Sequence, residues 1–161
     1  MNLTGGAAAV EKVRQDWAPF MELAACEVFE MMLSTRLEHP AGTVEGAFDA
    51  TSMVGFGGKI RGIVTFSCES KSAALMASKL LRTNVAEGSR EMHDALGEIC
   101  NMVAGNFKTK ITSLGDSCML STPVVITGKN YSLHALADSA ALEVRLLFEN
   151  MPIAISLRTE G

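Results

Sequence analysis

Apolar residues recur at three- and four-residue steps along the first part of the chain, which predicts a helix from about Val10 to Leu37. Pro19 lies inside this stretch, so the helix should kink, or break into two, near Trp17–Ala18. His39–Gly42, with its proline and glycine, should end it. Residues 1–8 are small and rich in glycine and alanine, and we expect them to form a loose lead-in.

A β pattern follows over residues 43–68. Thr43–Asp49 alternates in part between apolar and polar residues, and Met53–Phe56 is a short apolar run. Gly57–Gly58 is a hairpin turn signal, after which Lys59–Phe66 should continue as a strand.

The middle of the chain predicts two helices. The first should open at Ser70, with Ser70 or Ser72 as its cap. Asn84–Gly88 has the composition of a loop. A second helix should run from about Ser89 to Thr112, with Ser89 as its cap.

The last third of the chain has β character again. Leu120–Thr127 predicts a strand that contains a proline near its start, and Gly128–Asn130 a turn. Ala141–Phe148 and Pro152–Leu157 predict two further strands, joined by a tight turn at Glu149–Asn150.

The predicted order is helix, three strands, helix, then helix, three strands, which indicates two related halves. The hairpin at Gly57–Gly58 corresponds to the hairpin at Glu149–Asn150. Antiparallel hairpins with flanking helices favour an α+β, two-layer fold, in which helices cover an antiparallel sheet built from two α-β-β-β halves. A length of 161 residues predicts a single domain over residues 1–161.

Composition narrows the function classes. The net charge of −4 argues against nucleic acid as a partner, and no apolar run is long enough for a membrane span. No secretory signal is visible, and none of the four cysteines forms a C-x-x-C pair, so we expect reduced thiols and a cytoplasmic protein. The three histidines lie far apart in sequence, and their spacing predicts no metal site.

The second predicted helix carries the candidate chemistry. Asp94, Glu98, Asn101 and Gly105 fall within about a 60° arc of this helix. Gly105 costs about 1 kcal/mol of helix propensity relative to alanine, which suggests that a packed neighbour or a docked partner approaches closely there. Taken alone, such a polar stripe is most often a solvated face.

A longer string within this helix changes that interpretation. Asp94–Asn106 closely resembles the signature helix of the CheC/CheX family of chemotaxis phosphatases, Asp/Ser-x-x-x-Glu-x-x-Asn with a downstream proline, which here is Pro123. Leu120–Gly128 looks like the strand that follows in CheX proteins, and Pro19–Phe20 and Glu27–Met32 look like their first helix.

The resemblance implies hydrolysis of the aspartyl phosphate on a phosphorylated CheY-like response regulator. Asn101 would orient the attacking water, and Glu98 would pair with the lysine of the regulator. Asp94, Gly105 and Lys108 would support docking, although a solvated acid and a solvated lysine are the alternatives at Asp94 and Lys108. The protein would need no cofactor of its own, because the regulator supplies Mg²⁺.

The resemblance is to CheX rather than CheC proteins, because CheC proteins carry the Glu-x-x-Asn pair twice. Here the early glutamates Glu22, Glu27 and Glu30 have no asparagine three residues later. One site per chain and a homodimer built through the sheets are therefore implied. We expect Asn106 to serve structure, Pro123 to shape the start of a strand, and Cys100 to point away from the site.

Two other functions stay open at this stage. A non-catalytic module could bind a phosphorylated regulator or another chemotaxis or flagellar partner, as relatives in the same fold family do. A sensor domain could bind a small ligand between sheet and helices, and the ten methionines would suit a pliable pocket. The intact Glu98–Asn101 pair favours turnover.

Overall fold

The protein consists of helices packed on one antiparallel sheet. The computed structural model describes residues 17–58, 60–111, 118–132 and 142–159. In these ranges the helices are α1 (Ala18–Leu33), α2 (Ser70–Leu81) and α3 (Arg90–Lys110), and the strands are β1 (Ala50–Gly57), β2 (Gly62–Cys68), β3 (Met119–Leu120), β4 (Val124–Thr127), β5 (Leu142–Phe148) and β6 (Met151–Thr159). The predicted α+β class with an antiparallel sheet is therefore confirmed.

The sheet contains two hairpins that lie side by side. The path runs β3-β1-β2-β6-β5, with β4 also paired to β1, and every pairing is antiparallel. The two hairpins β1–β2 and β5–β6 meet where β2 pairs with β6. The hairpins of the two halves thus correspond to each other, as the sequence predicts.

The core lies between the helices and one face of the sheet. The ring of Phe29 in α1 stacks 6.0 Å from Phe66 of β2 and meets Phe148 of β5 edge-on at 5.5 Å. Trp17 contacts Phe107 of α3 edge-on at 6.1 Å. Buried aromatic pairs of this kind contribute to stability beyond their area, so they fix α1 on the sheet and α3 against the start of α1. Among the described helices, none has the length and apolar run needed to cross a bilayer.

The first helix differs from its prediction at both ends. It begins at Ala18, so Pro19 lies in the first turn, where its missing N–H leaves no hydrogen bond unmade. Residues 10–16 of the predicted helix lie outside the described residues. The helix ends at Leu33 rather than near Leu37, because Ser34 adopts a left-handed conformation with a φ of 51° and donates its N–H to the carbonyl of Phe29.

The strand predicted over Thr43–Asp49 does not form, and this prediction is wrong. The chain makes one isolated antiparallel bridge to β5, between Glu38 and Leu147. Farther along, the guanidinium of Arg145 donates to the carbonyl of Val44 at 2.9 Å, so a side chain replaces a ladder bond. The first half therefore contributes two strands within the described ranges.

Two smaller details also differ from the prediction. The loop after Gly57–Gly58 is longer than a tight hairpin, since β2 starts at Gly62 rather than at Lys59. Helix α2 opens at Ser70 as predicted, but neither predicted serine caps it. Instead the carboxylate of Asp49 accepts the backbone N–H of Ser70 at 2.6 Å.

Candidate functional site

A side-chain cap fixes the start of helix α3, and one face of the helix is buried in the core. The hydroxyl of Ser89 accepts a hydrogen bond from the backbone N–H of Met92 at 3.2 Å, which confirms the predicted cap. Lys108 and Lys110 lie in the last turn, where positive charge favours the helix dipole. The buried face consists of Met92, Ala95, Leu96, Gly97, Ile99, Cys100, Val103, Ala104 and Phe107. The opposite face is therefore presented in a fixed orientation.

Cys100 belongs to the buried face, as predicted. Its Sγ donates to the carbonyl oxygens of Ser52 on β1 and Val64 on β2, at 3.6 and 3.8 Å. Burial raises the pKa of this thiol to about 12, so it stays protonated. Cys100 therefore points into the sheet, away from the exposed face between its neighbours Glu98 and Asn101.

Glu98 and Asn101 lie on the outer face of α3. Glu98 is exposed and Asn101 is partly exposed. The two residues are three positions apart, about 4.5 Å along the helix axis, so a single rigid element presents both. Within the ranges that the structure describes, neither side chain makes a hydrogen bond or ion pair. An unengaged carboxylate and carboxamide are thus available to a docking partner.

The other predicted site residues fall on the same side of α3. The carboxylate of Asp94 lies 3.8 Å from the guanidinium of Arg90, in an ion pair so exposed that it contributes little to stability. Gly105 is not in a tight contact, since a Cβ there would lie 3.7 Å from Leu120. Lys108 is partly buried near Cys118. Burial raises the pKa of that thiol, and the charge of Lys108 opposes the rise.

Asn106 links α3 to α1, which confirms its predicted structural role. Its side-chain amide donates to the carbonyl of Ala24 at 3.2 Å and to the carboxylate of Glu27 at 2.8 Å. The same carboxylate accepts from the ammonium of Lys110 at 2.8 Å. We call Glu27, Asn106 and Lys110 the α1–α3 clasp. Sequence reasoning missed Glu27 and Lys110 as partners, because 83 positions separate them and no local pattern joins them.

The clasp should give stability a recognisable pH dependence. The hydrogen bonds from Lys110 and Asn106 hold the pKa of Glu27 below its usual value of 4.5. Its ionised form therefore stabilises the fold fully above the pKa of the unfolded chain, and this stabilisation is lost as pH falls through the lower pKa of the folded state. We expect Glu27→Gln to unfold at lower urea concentration than wild type at pH 7, with the difference shrinking in acid.

Urea unfolding of both proteins at pH 7 and at acidic pH checks this expectation. Glu30→Gln, on an exposed position of the same helix, is the matched control and should leave the urea midpoint unchanged at both pH values. A Glu27→Gln difference that is as large in acid as at pH 7 would contradict the assigned role of the carboxylate.

No group of three or more metal-ligating side chains lies together in the described parts of the chain. The chemistry of this face is therefore that of a carboxylate, a carboxamide and nearby cations on one helix. Pro123 immediately precedes β4 and packs on α3, where a Cβ on Gly97 would lie 3.4 Å from it. This placement agrees with the predicted role of Pro123 at the start of a strand.

The family model and the solved structures that match this chain point to the same family. The family model described as chemotaxis phosphatase CheX matches residues 50–147, which include the whole of α3. A chemotaxis protein CheX from Vibrio vulnificus superposes with a TM-score of 0.77 at 22% identity, over 91% of this chain and 98% of that one. No match is found among curated proteins.

Two further solved structures have the same fold. The chemotaxis protein CheX from Desulfovibrio desulfuricans gives a TM-score of 0.76 at 17% identity, over 90% of this chain and 99% of that one. The CheX of a CheX-CheY-BeF3-Mg²⁺ complex from Borrelia burgdorferi gives 0.71 at 22% identity, over 91% and 99%. At these identities the likeness shows the fold alone.

Proposed function

Because this chain belongs to the CheX family of chemotaxis phosphatases, we propose that it hydrolyses the aspartyl phosphate of a phosphorylated CheY-type response regulator. The pathway is chemotaxis or a related two-component system. Asn101 orients the attacking water, and Glu98 pairs with a lysine of the regulator. The regulator brings its own Mg²⁺, and this chain contributes no cofactor.

The exposed pair Glu98 and Asn101 carries this proposal. Both side chains project from one face of a helix whose other face is buried, and neither is engaged by a described residue. A partner can therefore meet both groups at once without first breaking contacts within this protein. The family match, which spans this helix, supports the same assignment.

The chemistry needs little from this chain beyond positioning. In phosphoryl transfer the water oxygen forms a bond to phosphorus while the bond to the aspartyl oxygen breaks, which returns the aspartate as a carboxylate and releases inorganic phosphate. Alignment of the water in line with the leaving oxygen is the missing element. A carboxamide suits this task because Asn101 can accept a hydrogen bond from the water and carries no charge that would repel phosphate.

Glu98 sets the register of docking. A carboxylate and a lysine ammonium form a charge-assisted hydrogen bond, which is shorter and stronger than a neutral one. Because Glu98 and Asn101 are fixed relative to each other by one helical turn, pairing of Glu98 also fixes the position of Asn101 over the phosphoryl group. Asp94, Gly105 and Lys108 border this contact and support it.

The proposal includes two properties carried over from CheX-like proteins. We expect a homodimer built through the sheets, which sedimentation of the purified protein measures directly. We also expect the protein to act in the cytoplasm, with the phosphorylated regulator as its partner.

Replacing Glu98 by alanine should weaken docking about tenfold, which corresponds to about 1.4 kcal/mol of binding free energy. The expected result is a higher KM together with a reduced rate, measured from the decay of phosphorylated regulator at several regulator concentrations. Glu87→Ala, an exposed glutamate in the loop before α3, is the control and should match wild type. An unchanged KM for Glu98→Ala would contradict the proposed role of Glu98 in docking the regulator.

A non-catalytic binding module is the alternative function, and turnover distinguishes the two. A small amount of this protein, well below the amount of phosphorylated regulator, should release all of the phosphate. A binding module would form a complex with the regulator and leave the decay rate unchanged or slower.

A further inference from the structure

The edge of the sheet next to α3 contains a β-bulge. Strands β3 and β4 both pair with β1, but their registers differ by one residue. Leu120 lies opposite Phe56, whereas Val124 lies opposite Met53. Ser121–Pro123 therefore places three residues opposite two residues of β1. One extra residue on one strand of an antiparallel pair defines a bulge, and such bulges are over-represented beside active sites.

Ser121 holds this bulge against β1. Its backbone N–H donates to the carbonyl of Gly55 at 2.8 Å, and its hydroxyl accepts the N–H of Gly55 at 2.9 Å. The hydroxyl also donates to the carbonyl of Thr122 at 3.2 Å. The bulge breaks the regular ladder at this point, so the Ser121 side chain supplies the acceptor that a backbone carbonyl would otherwise provide. A Cβ on Gly55 would lie 3.3 Å from the hydroxyl, so the glycine leaves room for it.

The bulge also forms the wall beside Asn101. Gly97, Asn101 and Gly105 follow one row along α3, at intervals of four residues. A Cβ on Gly97 would meet Pro123, and a Cβ on Gly105 would meet Leu120. Because Asn101 lies midway between these two contacts along α3, the bulge is the part of the sheet edge level with its position on the helix.

From this arrangement we propose that Ser121 is a positioning residue for Asn101. The side chain of Asn101 has no hydrogen-bond partner among the described residues, so the surfaces beside it set its orientation. The extra residue and the Ser121–Gly55 hydrogen bonds fix the wall, and the wall fixes the direction in which the carboxamide points. This inference rests on the proposed phosphatase function for its kinetic consequence, but not for its structural one.

A purely protective bulge is the alternative. Bulges also blunt exposed sheet edges against pairing with other chains, and β3 and β4 lie at such an edge. Loss of a protective bulge would increase self-association and would leave the orientation of Asn101 unchanged. The two roles therefore predict different measurements.

Ser121→Ala, Ser121→Thr and Thr127→Ala separate these roles. Thr127 is an exposed residue at the end of β4, away from the bulge, and the structure records no side-chain hydrogen bond from it to a described residue. Because small displacements of a catalytic group lower rates steeply, Ser121→Ala should reduce kcat about tenfold with KM unchanged. Ser121→Thr keeps the hydroxyl and should restore kcat, and Thr127→Ala should match wild type.

Two measurements on the protein alone keep the test independent of phosphatase activity. Hydrogen exchange at the amide of Gly55 should accelerate in Ser121→Ala only. The NMR signals of the Asn101 side-chain amide should shift in Ser121→Ala and stay in place in Thr127→Ala. If Ser121→Ala changes neither the exchange rate at Gly55 nor the Asn101 signals, the positioning role is overturned, even if wild type is an active phosphatase. Failure of wild type to dephosphorylate any regulator, with both effects present, would overturn the proposed function and leave the positioning role supported.

Discussion

Asn101→Ala should abolish acceleration of regulator dephosphorylation, with a loss of roughly 100-fold or more in kcat. Alanine removes the only group on this face that we assign to the attacking water, and nothing adjacent on α3 can replace a carboxamide at that position. Asn101 lies outside the buried face of α3, so the variant should fold as wild type does. Single-turnover decay of phosphorylated regulator measures the loss.

Binding and fold are measured on the same variant. Asn101→Ala should retain the affinity for phosphorylated regulator within a few fold and keep its thermal midpoint, since Glu98 and the core are unchanged. Asn84→Ala makes the same chemical change at an exposed loop position and should keep full activity. Full activity in Asn101→Ala would show that the water is aligned by another group.

Phe29→Ala should produce the largest loss of stability, about 3–5 kcal/mol in the free energy of unfolding. The Phe29 ring is inaccessible to solvent and contacts Phe66 and Phe148, which lie on strands of the two different halves. Its removal leaves a cavity where α1 meets the sheet. Urea unfolding measures the change.

Met31→Ala is the matched control on the same helix. The Met31 side chain is 80% exposed, so its truncation should change the free energy of unfolding by less than about 0.5 kcal/mol. A loss below about 1 kcal/mol for Phe29→Ala would contradict the assigned position of this ring in the core.

Sequence patterns predicted the elements whose determinants are local. Helix α3 follows from its apolar period and from the cap at Ser89. Both ends of the helix in the structure lie within two residues of the predicted ends. The spacing of Leu33 and Leu37 imitates a further helical turn, so the sequence pattern predicts an end near Leu37 rather than at Leu33. Leu37 is buried, but it reaches the core from irregular chain after the left-handed Ser34.

Features that depend on distant parts of the chain were not predictable. The cap of α2 comes from Asp49, 21 positions before Ser70. Thr43–Asp49 has a suitable alternation for a strand, but this part of the chain contacts the edge of β5 through one bridge at Glu38 and through the Arg145 side chain of β5, which donates to the carbonyl of Val44. The bulge at Ser121–Pro123 arises from the registers of two short strands on β1, which no local pattern encodes.

The candidate site also contains some features that local sequence predicts and others that depend on distant parts of the chain. The stripe that contains Glu98 and Asn101 follows from helical spacing, so its position on one exposed face could be predicted. The α1–α3 clasp and the wall formed by Ser121 depend on tertiary contacts across 83 and 66 positions. Sequence therefore identifies the groups that we propose to meet the partner, and the structure adds the tertiary contacts around them.

Decay of radiolabelled phosphate from a panel of phosphorylated response regulators of the host, with wild type and Asn101→Ala side by side, tests the central claim most directly. The proposed function predicts accelerated release for at least one regulator with wild type, and the intrinsic decay rate for that regulator with Asn101→Ala. Equal decay with both proteins for every regulator would contradict an Asn101-dependent phosphatase and favour the binding module.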